Sequence, residues 1–500
     1  MSDGLTSTIP SRLREVMTLD PCALALEFEG AWSTWGELAA AADAVDAALR
    51  GRGLGVGSPV GLMLRNRPVA LGTLVGLLRA GACVVTVNPL LGAERLRADL
   101  PGLGLPLLLG APDDLALVPA AELPATARGA LRALGGPIEV ADPARPPVGV
   151  VAPGVAVRML TSGTTGPPKR IDLRYEMLEL VMRGAKHYET GTGSDVRLRT
   201  GVVIVNAPLV HVSGVFRVVQ AVLDGRRIAL LERFTVDGWT AAVREHRPKT
   251  VSLVPTALRM VLDADVDDDV FTSIRSVVSG TAPLDPDLAE AFTARYRVPV
   301  LTSYGATEFG GGVAGWNLAD HEQFAATKRG SVGRAHAGCS LRVVDPDDGH
   351  DLGLDAVGLL EVRAAQLGTD DWVRTTDLAR LDADGFLWIV GRADQTILRG
   401  GYKVQPEVVR AALERVPGVA EAAVVGVSDE RLGAVPVAAV ERRPGALLDE
   451  AEVLAAAGAH LARYEVPVSV TVVDALPRTA SGKADLAAVR ALVIAGRSAS

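Results

Sequence analysis

Cysteine is nearly missing from this 500-residue chain. The three present, Cys22, Cys83 and Cys339, are too widely spaced for a disulfide framework or a zinc pattern, and they fit a reducing compartment. A basic excess is also missing. The net charge of −8 argues against a nucleic-acid partner and leaves local devices to hold any anionic ligand. No apolar run reaches a membrane span: the most apolar stretch, Pro68–Leu78, is cut by Arg79. The first residues, MSDGLTSTIPSRLREV, carry charges and no apolar segment, so no signal peptide is expected and a cytoplasmic enzyme is the default class. Lysine is scarce too. There are six, at Lys169, Lys186, Lys249, Lys328, Lys403 and Lys483, and arginine supplies the remaining positive charge.

What is present points to an α/β protein of at least two domains, since the length exceeds what one core usually holds. Thr34 and Glu37 have capping-box spacing ahead of a helix over Leu38–Leu49 that Gly51 and Gly53 end. Val60–Leu64, helical Val69–Arg79 and Cys83–Val87 read as a βαβ unit with a buried parallel sheet. The rhythm returns with strands near Val202–Val205, Arg227–Leu231, Val251–Val254, Ser276–Ser279 and Val300–Tyr304. Ala111–Pro153, rich in Ala, Pro and Gly, reads as peripheral.

After about Gly330 short β segments follow, with a hairpin turn at Asp382–Gly385. Beyond Gly391 comes a compact α+β module: a helix from Pro406, strands at Ala420–Val427, Val435–Val440 and Val468–Val473, and a helix from Asp449. The expected division is a large domain over 1–393, with mainly parallel sheets and a β-rich part, and a small mobile domain over 394–500.

The run Thr161-Ser-Gly-Thr-Thr-Gly-Pro-Pro-Lys169 has the composition of a loop that wraps phosphate with backbone N–H groups and hydroxyls. It is not a Walker loop, because Lys169 follows two prolines and precedes Arg170 rather than opening a helix with Ser or Thr. Gly310–Gly315 satisfies a dinucleotide glycine pattern but does not open a βαβ unit. Asp263–Asp269 has calcium-loop spacing, yet Asp268 stands at the glycine position and Ile274 at the final acid, so a solvated loop is expected.

That phosphate-loop string resembles the one in the adenylate-forming superfamily, which includes acyl-CoA synthetases, aryl-CoA ligases, luciferases and peptide-synthetase adenylation domains. The resemblance continues in order across the chain, and is most like a bacterial acyl-CoA synthetase. Ala207-Pro-Leu-Val-His211-Val-Ser-Gly214 is similar to the family's segment beside the acyl pocket, Ser279-Gly-Thr-Ala-Pro-Leu284 to its adenine-lining turn, and Ser303-Tyr-Gly-Ala-Thr-Glu308 to its Tyr-Gly-x-Thr-Glu. Arg374-Thr-Thr-Asp377 and Gly391-Arg-Ala-Asp394 resemble its ribose and hinge segments. Gly400-Gly-Tyr-Lys-Val-Gln-Pro-Glu407 resembles its thioester loop, and Pro477-Arg-Thr-Ala-Ser-Gly-Lys483 its catalytic-lysine loop.

The resemblance implies a two-step ligase: a carboxylate attacks the α-phosphorus of ATP and expels pyrophosphate, and a thiol then takes the acyl group. Both reactants in the first step are anionic, so the site must supply positive charge and hold them in line. Thr161, Ser162, Gly163, Thr164, Thr165, Gly166 and Lys169 would hold the β- and γ-phosphates. Gly280, Thr281 and Ala282 would line the adenine, with Ser303, Tyr304 and Gly305 beside it and Tyr304 stacked on the base. Asp377 would take the ribose hydroxyls, supported by Arg392. Glu308, next to Thr307, would place Mg²⁺. Lys483, delivered by the small domain, would bridge carboxylate and α-phosphate.

In the second step the small domain would rotate about Asp394, bringing in the loop with Gly400 and Gly401, whose lack of side chains lets the pantetheine arm of CoA pass. His211 lies near the expected carboxylate position, with a packed histidine as the other reading. Ala207–Gly214 carries no acid to hold an amino group, which favours a plain carboxylic acid. Glycines 310–312 would leave room for a bulky tail.

Four positions depart from the family pattern: Arg170, Thr376, Gln395 and Leu486. Arg170 puts a bulky charge beside the phosphate loop and makes adenylation efficiency the open point. The expected activity is ATP-dependent acyl-CoA synthesis from a hydrophobic carboxylic acid, with a dimer allowed for. Alternatives are a ligase loading a carrier protein, a variant performing one half-reaction, a nucleotide-binding protein without turnover and a luciferase-like oxygenase.

Overall fold

A computed structural model describes residues 8–143, 151–160, 169–185, 196–479 and 483–499. A seven-stranded sheet forms its first layer, in the order Glu139–Ala141, Ala127–Ala130, Leu107–Gly110, Pro59–Met63, Cys83–Val87, Val155–Leu160, Arg170–Arg174. Its interior strands are parallel and its two edge pairings antiparallel. Pro59–Met63 and Cys83–Val87 are buried at every residue, as continuous apolar runs in a doubly covered parallel sheet should be.

The helix expected at Leu38–Leu49 spans Trp35–Arg50, and both hydrogen bonds of the Thr34–Glu37 capping box are made. It buries Trp35, Leu38, Ala42, Val45 and Leu49, each of the large side chains worth roughly 1.5–3 kcal/mol relative to exposure. It packs tightly on the helix Pro68–Arg79 because Gly76 is there: a Cβ at Gly76 would lie 2.9 Å from Ala42 Cα.

A four-stranded sheet (Arg199–Val205, Arg226–Leu230, Leu24–Phe28, Ala31–Thr34) and a five-stranded sheet (Thr250–Ser252, Ser276–Ser279, Val300–Ala306, Gly311–Gly315, Arg334–Ala335) complete the α/β part. An antiparallel sheet follows, built from Cys339–Val344, Val357–Ala364, Val373–Leu381 and Leu387–Arg392. The turn expected at Asp382–Gly385 closes its last hairpin, with Gly385 at φ +80° and the Gly385 N–H bonded to the Asp382 carbonyl at 3.0 Å.

From Ile397 onward the chain builds a separate sheet on the long hairpin Val419–Asp429/Gly433–Arg442. The two apolar clusters that contain its strands draw every member from residues after 396. Ala111–Pro153 is less peripheral than expected, since Ala127–Ala130 and Glu139–Ala141 extend the first sheet. The Asp263–Asp269 acids are engaged by arginines: Arg443 on Asp263, Arg295 on Asp265 and Asp268, Arg244 on Asp267 and Asp269. Among the described residues no helix is long and apolar enough to cross a membrane.

Candidate active site

The site lies where parallel strands end. Ser276–Ser279 and Val300–Ala306 are neighbours, with Ser279 paired to Thr302. Their continuations, Gly280–Ala282 and Thr307–Phe309, therefore leave the sheet side by side. A Cβ on Gly280 would fall 2.7 Å from Ser303 Oγ and 3.1 Å from the Ser303 carbonyl, so any side chain there would have to displace Ser303. Thr281 has φ +69°, a left-handed conformation that a β-branched residue rarely takes. A Cβ on Gly305 would lie 2.2 Å from the Gly311 carbonyl, which explains glycine where the two strands cross closest. Thr307 accepts from the Gly310 N–H at 2.9 Å, and Glu308 stands exposed at the cleft.

Tyr304 and Asp377 meet directly: the phenol donates to Asp377 Oδ2 at 2.5 Å. Asp377 also presents its backbone N–H to Thr375 Oγ1 at 3.0 Å. Burial raises the Asp377 pKa above the usual carboxylate value, opposed by the Tyr304 hydrogen bond and by Arg392, while the Asp394 and Glu308 charges add to the rise. Burial, then the Asp377 charge, pushes the Tyr304 phenol up as well.

Arg392, directly across the sheet from Asp377, closes its fork on Asp394 at 2.9 and 2.8 Å and donates to Thr376 Oγ1 at 2.6 Å. The residue expected to support a ribose is thus held by the expected hinge aspartate, and Thr376 supplies an anchor that glycine could not.

Lys483 comes to the same cleft from the other end of the chain. The residue as a whole is exposed, yet the cleft walls surround its charged group. That desolvation, followed by Arg392, lowers its pKa below the ordinary lysine value, with Asp377 opposing. Its backbone is tied into a hairpin, the Thr479 N–H donating to the Lys483 carbonyl at 2.7 Å and the Asp485 N–H to Pro477 at 2.8 Å. Arg478, in that hairpin, binds Glu421 at 2.7 Å and Glu441 at 2.9 Å. This anchor needs residues 37 and 57 positions away, and no local signal pointed to it.

His211 occupies the N-cap position of the helix Val212–Leu223 without a side-chain capping bond, and it lines the cleft. Gly214 is required behind it, because a Cβ there would strike the Pro208 carbonyl at 2.2 Å. Side chains pack directly on glycines 310–312, while Gly311 and Gly312 also line the cleft. Met177 Sδ would sit 2.4 Å from a Cβ at Gly310, Val181 Cγ1 2.8 Å from one at Gly311, and His336 Cε1 3.1 Å from one at Gly312. The glycines admit those side chains, and Val181 and His336 themselves line the cleft.

Thr161, Ser162, Gly163, Thr164, Thr165 and Gly166 lie outside the described residues. Lys169 is described and exposed, just ahead of the strand Arg170–Arg174. Arg170 is mostly buried. It donates to the Thr86 carbonyl at 3.1 Å and pairs with Asp99, so its charge is spent on the sheet edge. Gly400 and Gly401 form a two-residue hairpin turn at φ +57° and +88° and do not line the cleft that holds Lys483.

Residues 13–369 match the AMP-binding enzyme family, and residues 409–483 its AMP-binding enzyme C-terminal domain. The chain belongs to the AMP-binding enzyme family. Similar proteins include an indoleacetate–CoA ligase of Aromatoleum aromaticum, 32% identical over 95% of this chain and 96% of that protein. A feruloyl-CoA synthase of an Amycolatopsis species is 30% identical over 93% and 95%. This AMP-binding enzyme is an acid–thiol ligase of the AMP-forming type.

Its fold superimposes on ATP-bound MatB from Rhodopseudomonas palustris with a TM-score of 0.81 at 26% identity, covering 97% of this chain and 99% of that one. The apo form of the same protein, at equal identity and coverage, gives 0.69. The overall arrangement is therefore nearer to the nucleotide-bound form.

Proposed function

We propose that this enzyme activates an aromatic or comparably hydrophobic carboxylic acid as its acyl-adenylate and transfers the acyl group to CoA. The observation that carries the reading is the convergence of Lys483 with Asp377 and Arg392 in one cleft. The cleft, about 3760 Å³, exceeds the roughly 300–1,000 Å³ of a single-ligand pocket, which leaves room for nucleotide and acid together. Phe216, Val181 and Val212 add apolar side chains to the cleft lining, and the segment Ala207–Gly214 carries no acid, which supports a plain hydrophobic acid. The indoleacetate and feruloyl relatives support an aryl group.

In the first half-reaction the substrate carboxylate oxygen attacks the α-phosphorus, and the bond to the β-phosphate oxygen breaks. Lys483 holds the carboxylate and α-phosphate oxygens together, and a preorganised charge of this kind is worth roughly 3–4 kcal/mol at the transition state. Thr161–Gly166 and Lys169 hold the leaving pyrophosphate. Asp377, once its bond to Tyr304 is shared or released, takes the ribose hydroxyls. Gly280–Ala282 and Tyr304 hold the adenine. Glu308 is an exposed carboxylate in the cleft, the hard oxygen donor that Mg²⁺ prefers, and bound there Mg²⁺ would neutralise phosphate charge.

In the second half-reaction the domain beyond 393 turns about Asp394, withdraws Lys483 and brings Gly400 and Gly401 to the cleft. The CoA sulfur, as thiolate, attacks the acyl carbonyl and AMP leaves. We assign the enzyme to the cytoplasm. Following pyrophosphate, acyl-AMP and thioester with ATP, Mg²⁺, CoA and a panel of aryl acids tests the reading. Acyl-AMP never captured by CoA would favour a carrier-protein acceptor. Thioester formed only from supplied acyl-AMP would favour a single half-reaction.

A further inference from the structure

Asn66 is a buried polar side chain that the two-step chemistry does not use. It stands in the loop 64–67, between the strand Pro59–Met63 and the helix Pro68–Arg79, is 5% exposed, and lines the cleft. A primary amide can donate twice and accept, and Asn66 does all of this. Its Nδ2 donates to the Ala207 carbonyl at 3.0 Å and to the Leu231 carbonyl at 3.0 Å, and its Oδ1 accepts the Leu209 N–H at 2.8 Å. Two carbonyls on one side and an N–H on the other fix which amide atom is which.

The bonds to Ala207 and Leu209 are those a neighbouring parallel strand would make, taking the carbonyl of one residue and the N–H two residues on. The strand Arg199–Val205 has just ended, so here a side chain stands in for the sheet. Between the two bonded residues lies Pro208, whose carbonyl takes the His211 N–H at 3.0 Å. The His211 carbonyl in turn takes the Gly214 and Val215 N–H groups at 3.0 and 3.1 Å, opening the helix Val212–Leu223. A continuous run of bonds thus leads from Asn66 to His211. Arg67 ties the same loop to Glu232 at 3.1 and 2.9 Å, and on the other flank Asn206 donates to the Ser252 carbonyl at 3.2 Å.

We propose that Asn66 is a positioning residue for the carboxylic acid, acting through residues 207–209 to hold His211 at the acid's place in the cleft; the proposal rests on reading the segment Ala207–Gly214 as the wall beside the acid. Leu209 is 1% exposed, so its N–H has no ready substitute in solvent when the amide is removed. The segment then shifts to find another partner, and a displacement of about 1 Å at a reacting group can cost up to roughly a hundredfold in rate. The nucleotide side of the cleft, at Gly280–Ala282 and Asp377, receives none of the three bonds of Asn66, so its geometry stays as it is.

The test follows pyrophosphate release against the concentrations of an aryl acid and of ATP. Asn66→Ala should raise KM for the acid about tenfold or more with KM for ATP at the wild-type value. Arg79→Met, which cuts the ties to Asp43 and Asp46 away from the cleft, should lower the melting temperature and change neither KM. Asn66→Asp keeps the shape. As a carboxylate it faces two carbonyls, whereas once protonated it donates to one of them and accepts from Leu209. Its KM for the acid, relative to wild type at each pH, should therefore fall between about pH 8 and about pH 6, and this carries the test if Asn66→Ala does not fold. In a His211→Ala background, adding Asn66→Ala should raise KM for the acid no further. An equal rise for acid and ATP, no rise for the acid, or additive effects with His211→Ala overturn the proposal. If His211→Ala leaves KM for the acid unchanged, the reading of the segment fails and the proposal with it. If His211→Ala raises it and Asn66→Ala does not, only the role of Asn66 fails.

Discussion

Glu421 and Glu441 face each other on adjacent antiparallel strands, and Arg478 bridges them. Two carboxylates directly opposite would repel, so the arginine is what makes the pairing tolerable. Its backbone neighbours Thr479 and Lys483 are joined in the same hairpin, which couples the sheet of the small domain to the lysine loop. Arg478→Met should slow adenylation by about tenfold or more through misplacement of Lys483, with thioester formation from supplied acyl-AMP near wild type. Adding Glu421→Gln and Glu441→Gln should recover thermal stability without recovering adenylation. Calorimetry and the two half-reaction assays check this; equal loss in both half-reactions would contradict it.

Lys483 gives a pH signature. Desolvation and Arg392 disfavour its charged form in the native state. Between its lowered native pKa and the ordinary lysine value, the unfolded chain binds more protons, so this group makes stability rise with pH across that window. Adenylation needs the ammonium form and should fall on the alkaline side starting below the ordinary lysine range. Lys483→Arg, charged throughout, should shift that limb upward, and Lys483→Ala should remove roughly a hundredfold or more of adenylation rate. Pyrophosphate release as a function of pH reads both. An alkaline limb unchanged in Lys483→Arg would show that another group titrates.

Arg170 belongs to the sheet edge. Arg170→Ala would strand Asp99 and the Thr86 carbonyl at a cost of about 1–3 kcal/mol, lowering the melting temperature with KM for ATP unchanged. A rise in KM for ATP at constant melting temperature would return Arg170 to the phosphate loop.

Thr281 holds a left-handed backbone that glycine takes freely. Thr281→Gly should therefore stabilise the protein by up to about 1 kcal/mol, relieved strain being partly offset by chain entropy. A fall in melting temperature would mean that the threonine side chain holds more than it strains.

Strands made of continuous apolar runs, such as Cys83–Val87, and helices opened by capping pairs, such as Trp35–Arg50, were legible because their signals are local. Ala127–Ala130 and Glu139–Ala141 were not, since strands of four and three residues with Val140 as their one β-branched side chain carry little local signal and take their pairing from neighbouring strands. The site followed the same division. Each motif residue could be located by position, but Tyr304 on Asp377, Arg170 on Asp99 and Arg478 on the two glutamates join segments far apart in sequence. The side chains that pack on glycines 310–312, Met177, Val181 and His336, come from segments that the local pattern could not bring there.

The central claim is a two-step ligase whose small domain serves the steps in turn. Its most direct test is single-turnover kinetics of Lys483→Ala and Gly401→Val in parallel, with an aryl acid, ATP and Mg²⁺ for the first step and purified acyl-AMP with CoA for the second. The account predicts crossed phenotypes: Lys483→Ala loses the first step and keeps the second, and Gly401→Val keeps the first and loses the second. Equal losses in both steps for either variant would contradict it.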